Sequence, residues 1–260
     1  MTEPLFLLGD ARSSPFRRLG SDVLRSIDAV REAYARHGRA RWVVLDADAL
    51  GLLASAVHAH DRWHRLLLLE RASTARRELL HALFRVVVAP DDGVSLLPPE
   101  ELAEVMDDEG AEDRFIGGVV DADDRALVLY RGNLDRLVVP HAWFKARPKA
   151  RPDFGAFAVT DYGQTVQLGD YEAAADAILY DFDPDARRRM KEREIKRDTS
   201  FGGALRRLRS ARGVARSDFA PLSAKTVARI ERGEVDEPHG DTLATIAKRL
   251  GVKPEQIKLY

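Results

Sequence analysis

Two aspartates, Asp46 and Asp48, follow the apolar run V-V-L at 43–45 and stand at the head of a helical stretch. Carboxylates at the end of a buried strand can hold Mg2+ when further acids converge on them, and Glu101, Asp113 and Asp121 are the nearest candidates in type. The plainer reading is that Asp46 and Asp48 cap the helix behind them. The histidine cluster H-A-H-D-R-W-H at 58–64 sets His60 and His64 four residues apart, a spacing that puts two imidazoles on one helix face as metal ligands are placed. No Glu lies between them where a metalloprotease motif carries its base, so a polar surface or satisfied core role competes, and no metal site is expected. Phosphate-cradling glycine loops, dinucleotide fingerprints and nucleophile elbows are missing. The chain reads as non-enzymatic and without a cofactor.

What must position these residues is a chain of 260 residues with 45% hydrophobic and 32% charged side chains, enough for a substantial core and more than one domain. The absence of cysteine removes disulfide frameworks, cysteine-ligated zinc and thiol nucleophiles, and fits the cytoplasm. Apolar runs such as L-L-L-L at 66–69 fall far short of the roughly 20 residues of a membrane helix. The opening M-T-E-P-L-F-L-L-G-D carries an acid where a secretory signal carries Lys or Arg, so neither export nor a membrane partner is expected.

The net charge of -1 hides an asymmetry. Residues 187–260 hold 19 Lys+Arg against 10 Asp+Glu, so they carry +9 and the rest of the chain carries -10. All 8 Lys lie at Lys145 or later. A basic tail behind an acidic body implies that the tail meets a polyanion.

Residues 1–110 read as an α/β region. Ser21 or Asp22 can cap a helix running through Val23, Leu24, Ile27, Val30 and Tyr34 to Gly38; W-V-V-L at 42–45 and R-V-V-V-A at 85–89 read as strands, with two or three helical stretches across 47–84 and a turn at P-D-D-G. Residues 111–183 read as a β-rich middle domain. F-I-G-G-V-V, A-L-V-L-Y and L-V-V-P form an antiparallel meander, F-G-A-F-A-V and Q-T-V-Q-L add strands, and Asp170 caps a helix through Tyr171, Ala175, Ile178 and Leu179. Residues 184–199 are charged throughout, as in a solvated basic linker helix, and mark the domain boundary. The expected fold class is therefore α+β multidomain, ending in an all-α domain at 200–260.

That last segment reads as short capped helices. Leu205 and Leu208 stripe the first, which Gly213 ends; Ser223 starts a helix that Gly233 ends, and Asp241 one that Gly251 ends. Leu222, Val227, Ile230, Leu243, Ile246, Leu250, Val252 and Ile257 form the expected core. The motifs L-R-R-L-R-S-A-R-G at 205–213, S-A-K-T-V-A-R-I-E-R-G at 223–233 and T-L-A-T-I-A-K-R-L-G-V at 242–252 resemble the lambda-repressor-like, Cro-type (XRE) helix-turn-helix family. The resemblance implies a sequence-specific regulator that binds double-stranded DNA as a homodimer, with 223–232 as recognition helix. By position it puts Ser223, Ala224, Lys225, Thr226, Arg229 and Arg232 toward the groove, Arg216 toward a phosphate or base edge, and Glu231 in a structural role. Arg206, Arg207 and Arg209 are expected to face phosphates or solvent. One departure stands out. Only Pro221 and Leu222 separate F-A at 219–220 from Ser223, so the turn is about three residues shorter than the family's and lacks its glycine, and the second helix must end early.

Residues 128–182, through V-L-Y-R-G-N-L-D-R-L-V-V-P-H-A-W-F, resemble a family of small uncharacterised bacterial β-rich domains, some of which precede such a helix-turn-helix and are described as antitoxins. V-V-L-D-A-D-A-L at 43–50 resembles the opening of a PIN-type nuclease. The second functional reading is accordingly a defence or toxin-antitoxin protein whose N-terminal region is a metal-dependent nuclease or binds a protein partner.

Overall fold

The computed structural model describes residues 3–11, 14–19, 22–57, 63–90, 93–235 and 238–260. The chain mixes helices and sheets. It divides into two compact units, Met1–Asp183 and Pro184–Tyr260. Among the described residues no helix is long and apolar enough to cross a membrane.

The N-terminal unit begins with β1 (Leu5–Leu8), β2 (Asp22–Leu24), α1 (Ile27–Arg36), β3 (Arg41–Val44), α2 (Ala47–Ala56), β4 (Arg65–Leu68), α3 (Thr74–Leu83) and β5 (Val86–Val88). The five strands form one parallel sheet in the order β2-β1-β3-β4-β5. Their almost unbroken apolar runs suit a sheet covered on both faces. Phe6, Leu8, Trp42, Val44, Leu66 and Leu68 join Val30, Leu50, Leu53 and Leu80 of the helices in one core. Leu7, Val43, Leu67 and Val88, on the opposite face by alternation, are buried as well.

α2 and α3 are the helical stretches expected across 47–84, and between them L-L-L at 66–68 lies in β4, because a short apolar run has no period of its own and its pairing with β3 and β5 decides it. Asp22–Leu24 is a strand paired with β1, and the helix starts only after Ser26, whose Oγ accepts from the Ala29 N–H at 3.2 Å. That helix ends at Arg36, before Gly38. Ser21, and Asp91 and Asp92 of the expected turn, lie outside the described residues.

β6 (Val94–Leu96), α4 (Pro99–Asp107), β7 (Phe115–Asp121), β8 (Ala126–Arg131) and β9 (Arg136–Pro140) follow, and the four strands form an antiparallel sheet in sequence order. The meander at 115–140 thus has the expected strands, with β6 added at its edge. β10 (Phe157–Thr160), β11 (Thr165–Leu168) and β12 (Tyr171–Ala174) form a second antiparallel sheet. α5 (Ala175–Phe182) begins where β12 ends, so Asp170 caps no helix. Tyr171 and Ala173 alternate buried with the exposed Glu172 and Ala174, and pairing with β11 claims them as strand.

No unit boundary falls near residue 110, and a charged network gives the reason. Arg65, 1% exposed at the head of β4, pairs with Glu3 and with Asp135 of the β8–β9 turn, the latter at 2.7 Å. Arg41, at the head of β3, donates to the carbonyls of Met106 at 3.0 Å and Gly132 at 3.3 Å. The parallel sheet is thereby tied to the meander's turn.

The C-terminal unit holds α6 (Pro184–Arg197), α7 (Phe201–Ala211), a 3-10 turn at Arg216–Asp218, α8 (Ala224–Glu231), α9 (Gly240–Leu250) and a final 3-10 run, Pro254–Leu259. α6, expected as a linker, packs against α7: the Arg207 guanidinium donates to the carbonyl of Ile195 at 2.8 Å.

Candidate nucleic-acid interface

The site is built on α8 and what holds it. Ser223 caps the helix, its Oγ accepting from the Thr226 N–H at 3.0 Å and lying 2.9 Å from the Thr226 hydroxyl. Gly233, at φ +71°, lets the chain leave through a left-handed residue. Val227 and Ile230 face inward into a core with Phe201, Leu205, Leu208, Phe219, Ile246, Leu250 and Ile257. Leu222, Leu243 and Val252 pack against it partly buried. Phe219 has no place in the expected core, because a lone aromatic beside Ala-Pro carries no helical stripe.

The second helix of the expected motif is reduced to the single turn Arg216–Asp218, closed by the Asp218 carboxylate accepting from the Ala215 N–H at 2.9 Å. The peptide before Pro221 is cis. α7 lies close against the far end of α8: a Cβ on Gly202 would come within 2.3 Å of the Ile230 carbonyl oxygen. α9 starts at Gly240, one residue before Asp241.

The seven residues expected at DNA differ in their surroundings. Lys225 and Arg229 are exposed on the side of α8 away from its core residues, Ala224 is exposed in its first turn, Thr226 is half-buried and Ser223 serves the cap. Among the described residues Lys225 has no ion-pair partner. Arg229 and Arg232 both donate to Glu234, at 3.0 and 2.7 Å, and these two arginines hold the Glu234 carboxyl below the usual range, Arg232 more than Arg229. Arg216 lies off the helix, 42% exposed at its side chain, with its guanidinium on Glu231 at 2.7 Å.

The other arginines turn inward, against expectation. Arg209 donates to the fully buried Glu231 carboxylate at 2.5 Å, Arg206 to the Glu231 carbonyl at 3.2 Å, and Arg207 to carbonyls of Ile195, Asp198 and Tyr260. The buried Glu231 carboxylate demands donors, and the long guanidiniums of α7 reach it and the nearby carbonyls. Sequence spacing carries no signal for that choice.

The carboxylates at the head of α2 form no comparable centre. Asp46 Oδ1 accepts from the Ala49 N–H at 2.8 Å as the helix cap, and Oδ2 accepts from the Asp10 N–H at 3.1 Å. Glu101 accepts from the Tyr162 N–H, Asp121 closes its own turn, and Asp113 lies 3.8 Å from Arg131. Among the described residues no group of three His, Asp or Glu could hold a metal. Asp10, Arg25, Asp46 and Asp48 instead line an open cleft of about 430 Å³ where the sheet order reverses between β1 and β3.

His58 and His60 lie outside the described residues. His64 stands just before a strand and not on a helix; it is fully buried, accepting at Nδ1 from the Trp42 indole N–H at 3.2 Å and donating from Nε2 to the Tyr34 carbonyl at 3.2 Å. It is a satisfied core histidine. Comparison of the chain with protein-family models, with curated proteins and with solved structures found no match.

Proposed function

We propose that this chain is a sequence-specific DNA-binding regulator whose C-terminal unit is a helix-turn-helix domain with a shortened second helix, carried behind an α/β region and a β-rich middle region. The observation that carries the reading is the division of α8: Val227 and Ile230 are fully buried, while Lys225 and Arg229 stand exposed on one side, and Ala224 in the first turn, of a helix whose start is capped and whose end is held by Glu231. A helix anchored by one stripe and presenting small and cationic residues from its first turn has the form that enters a major groove. The surplus of cations after residue 187 supplies the attraction to phosphate.

One helix reads few base pairs, so the reading includes a homodimer on half-sites about 34 Å apart, with the subunit contact in the larger N-terminal unit. Sedimentation of the full chain that finds only monomer, free and on duplex, removes this part of it. A partner protein or an antitoxin role for the N-terminal unit remains within the proposal. The nuclease reading gains nothing from Asp46, whose two oxygens accept from backbone N–H groups.

The test is titration of the full chain against duplexes selected from a random pool. Arg229→Ala costs about 1–3 kcal/mol on the selected site if its guanidinium reads guanine, and less on a random duplex. Equal losses on both assign it to phosphate. Glu234→Gln frees Arg229 and Arg232 from their carboxylate, so binding to random duplex tightens and its salt dependence steepens. Absence of duplex binding by the unsubstituted chain at low salt overturns the reading.

A further inference from the structure

The N-terminal unit is acidic, with 31 Asp+Glu against 22 Lys+Arg in residues 1–183, yet residues 136–152 hold five cations and no carboxylate. Four of the five, Lys145, Arg147, Lys149 and Arg151, alternate along the connection between β9 and β10. All four are exposed. Lys145 and Lys149 are the only lysines of the unit. From this concentration we infer that the connection is a second contact for the phosphate backbone of duplex DNA, separate from α8.

Its geometry is built in advance. The Arg147 N–H donates to the Ala150 carbonyl at 2.8 Å and the Ala150 N–H to the Arg147 carbonyl at 3.3 Å, closing a two-residue turn with Pro148 and Lys149 at its tip. Pro148 sits where a turn favours proline. The Arg147 guanidinium lies over the Tyr171 ring, 4.8 Å from its centre, and fastens the turn to β12. Among the described residues Lys145, Lys149 and Arg151 have no carboxylate within ion-pair distance. Holding three cations together without counter-charge costs self-repulsion, which a polyanion relieves. A turn ordered beforehand spares the entropy of fixing it on binding.

The chemistry of the turn favours a duplex over other polyanions. Ala146, Pro148 and Ala150 are its apolar residues, and none is large enough to anchor in a bilayer. The aromatic rings beside it are occupied: His141 stacks on Phe154 at 3.7 Å, and the Trp143 indole donates to Asp181 at 2.7 Å. Among the described residues these rings already contact protein partners, which counts against base stacking as the mode of binding at the turn. The choice of DNA over another rigid array of phosphates rests on the function proposed for α8.

The experiment uses the full chain and the triple variant Lys145→Gln, Lys149→Gln, Arg151→Gln, which leaves Arg147 on Tyr171, against a mixed-sequence DNA duplex at several salt concentrations. The expected result is a salt-dependence slope shallower by roughly three and an affinity lower by on the order of 100-fold at about 0.1 M salt. An unchanged slope and affinity overturn the inference. So does a variant that keeps duplex binding but loses binding to phosphatidylserine vesicles, which would assign the turn to a membrane. A parallel Lys225→Ala, Arg229→Ala variant separates the two claims: loss there alone leaves α8 and removes the turn, and loss in the triple variant alone leaves the turn and removes α8. If the unsubstituted chain binds no duplex, both fall.

Discussion

Replacing Glu231 with Ala is expected to unfold the C-terminal unit under conditions in which the N-terminal unit stays folded. The carboxylate is fully buried at the last residue of α8, 2.5 Å from the Arg209 guanidinium and 2.7 Å from that of Arg216. Arg209 is 15% exposed at its side chain, so without Glu231 its charge stays largely out of water with no counter-charge. Removing one partner of such a pair costs about 3–5 kcal/mol. The contribution of Arg216, nearly half exposed, is smaller because solvent screens it. A unit of this size has only a few kcal/mol of margin, so the loss takes most of it. Urea denaturation followed by far-UV circular dichroism should show one transition displaced and the other unmoved. A cost below about 1 kcal/mol would mean that packing, and not this carboxylate, holds α7 and α8 together.

The second large effect is expected in the N-terminal unit. Trp42→Ala should cost about 3–5 kcal/mol, since the side chain is fully buried and lies at the middle of an aromatic cluster with Phe6, Tyr34 and Phe84. It is also the first donor in a chain of hydrogen bonds: Trp42 Nε1–H to His64 Nδ1, His64 Nε2–H to the Tyr34 carbonyl, and the Tyr34 hydroxyl to the Leu83 carbonyl at 2.9 Å. Trp42→Phe separates the two contributions. It keeps much of the apolar volume and strips His64 Nδ1 of its donor, at a cost of about 1–3 kcal/mol. Denaturation midpoints of the two variants measure the difference. Equal costs would show that the hydrogen bond carries the site, and no cost for Trp42→Phe would show that volume alone does.

These variants mark where sequence reading reached and where it stopped. The helices of the C-terminal unit were legible because their signals are local: Ser223 and Gly233 bracket α8, and Val227 and Ile230 fall three apart on one face. The meander was legible for the same reason, since turn-rich spacers separate strands that pair with their neighbours in sequence. β1 and β4 were not. Each is only four residues long, and its identity as strand depends on partners tens of residues away in a parallel sheet.

Composition and local order by themselves determined the charge division of the chain, the exclusion of cysteine chemistry, the antiparallel meander and the capped helices after residue 200. Only the tertiary structure decided what individual polar residues do. Arg209 and Lys225 look alike as cations in a basic segment, yet one is bonded to a buried carboxylate 22 residues away and the other is exposed on α8. Asp46 could ligate a metal or cap a helix, and its two oxygens accept from the N–H groups of Ala49 and Asp10. His64 could bind a metal or fill a core, and the Trp42 indole and the Tyr34 carbonyl take both its nitrogens. The reason is common to all three. A polar side chain takes its role from the donors, acceptors and charges within about 3 Å of it, and those are brought there by distant parts of the chain.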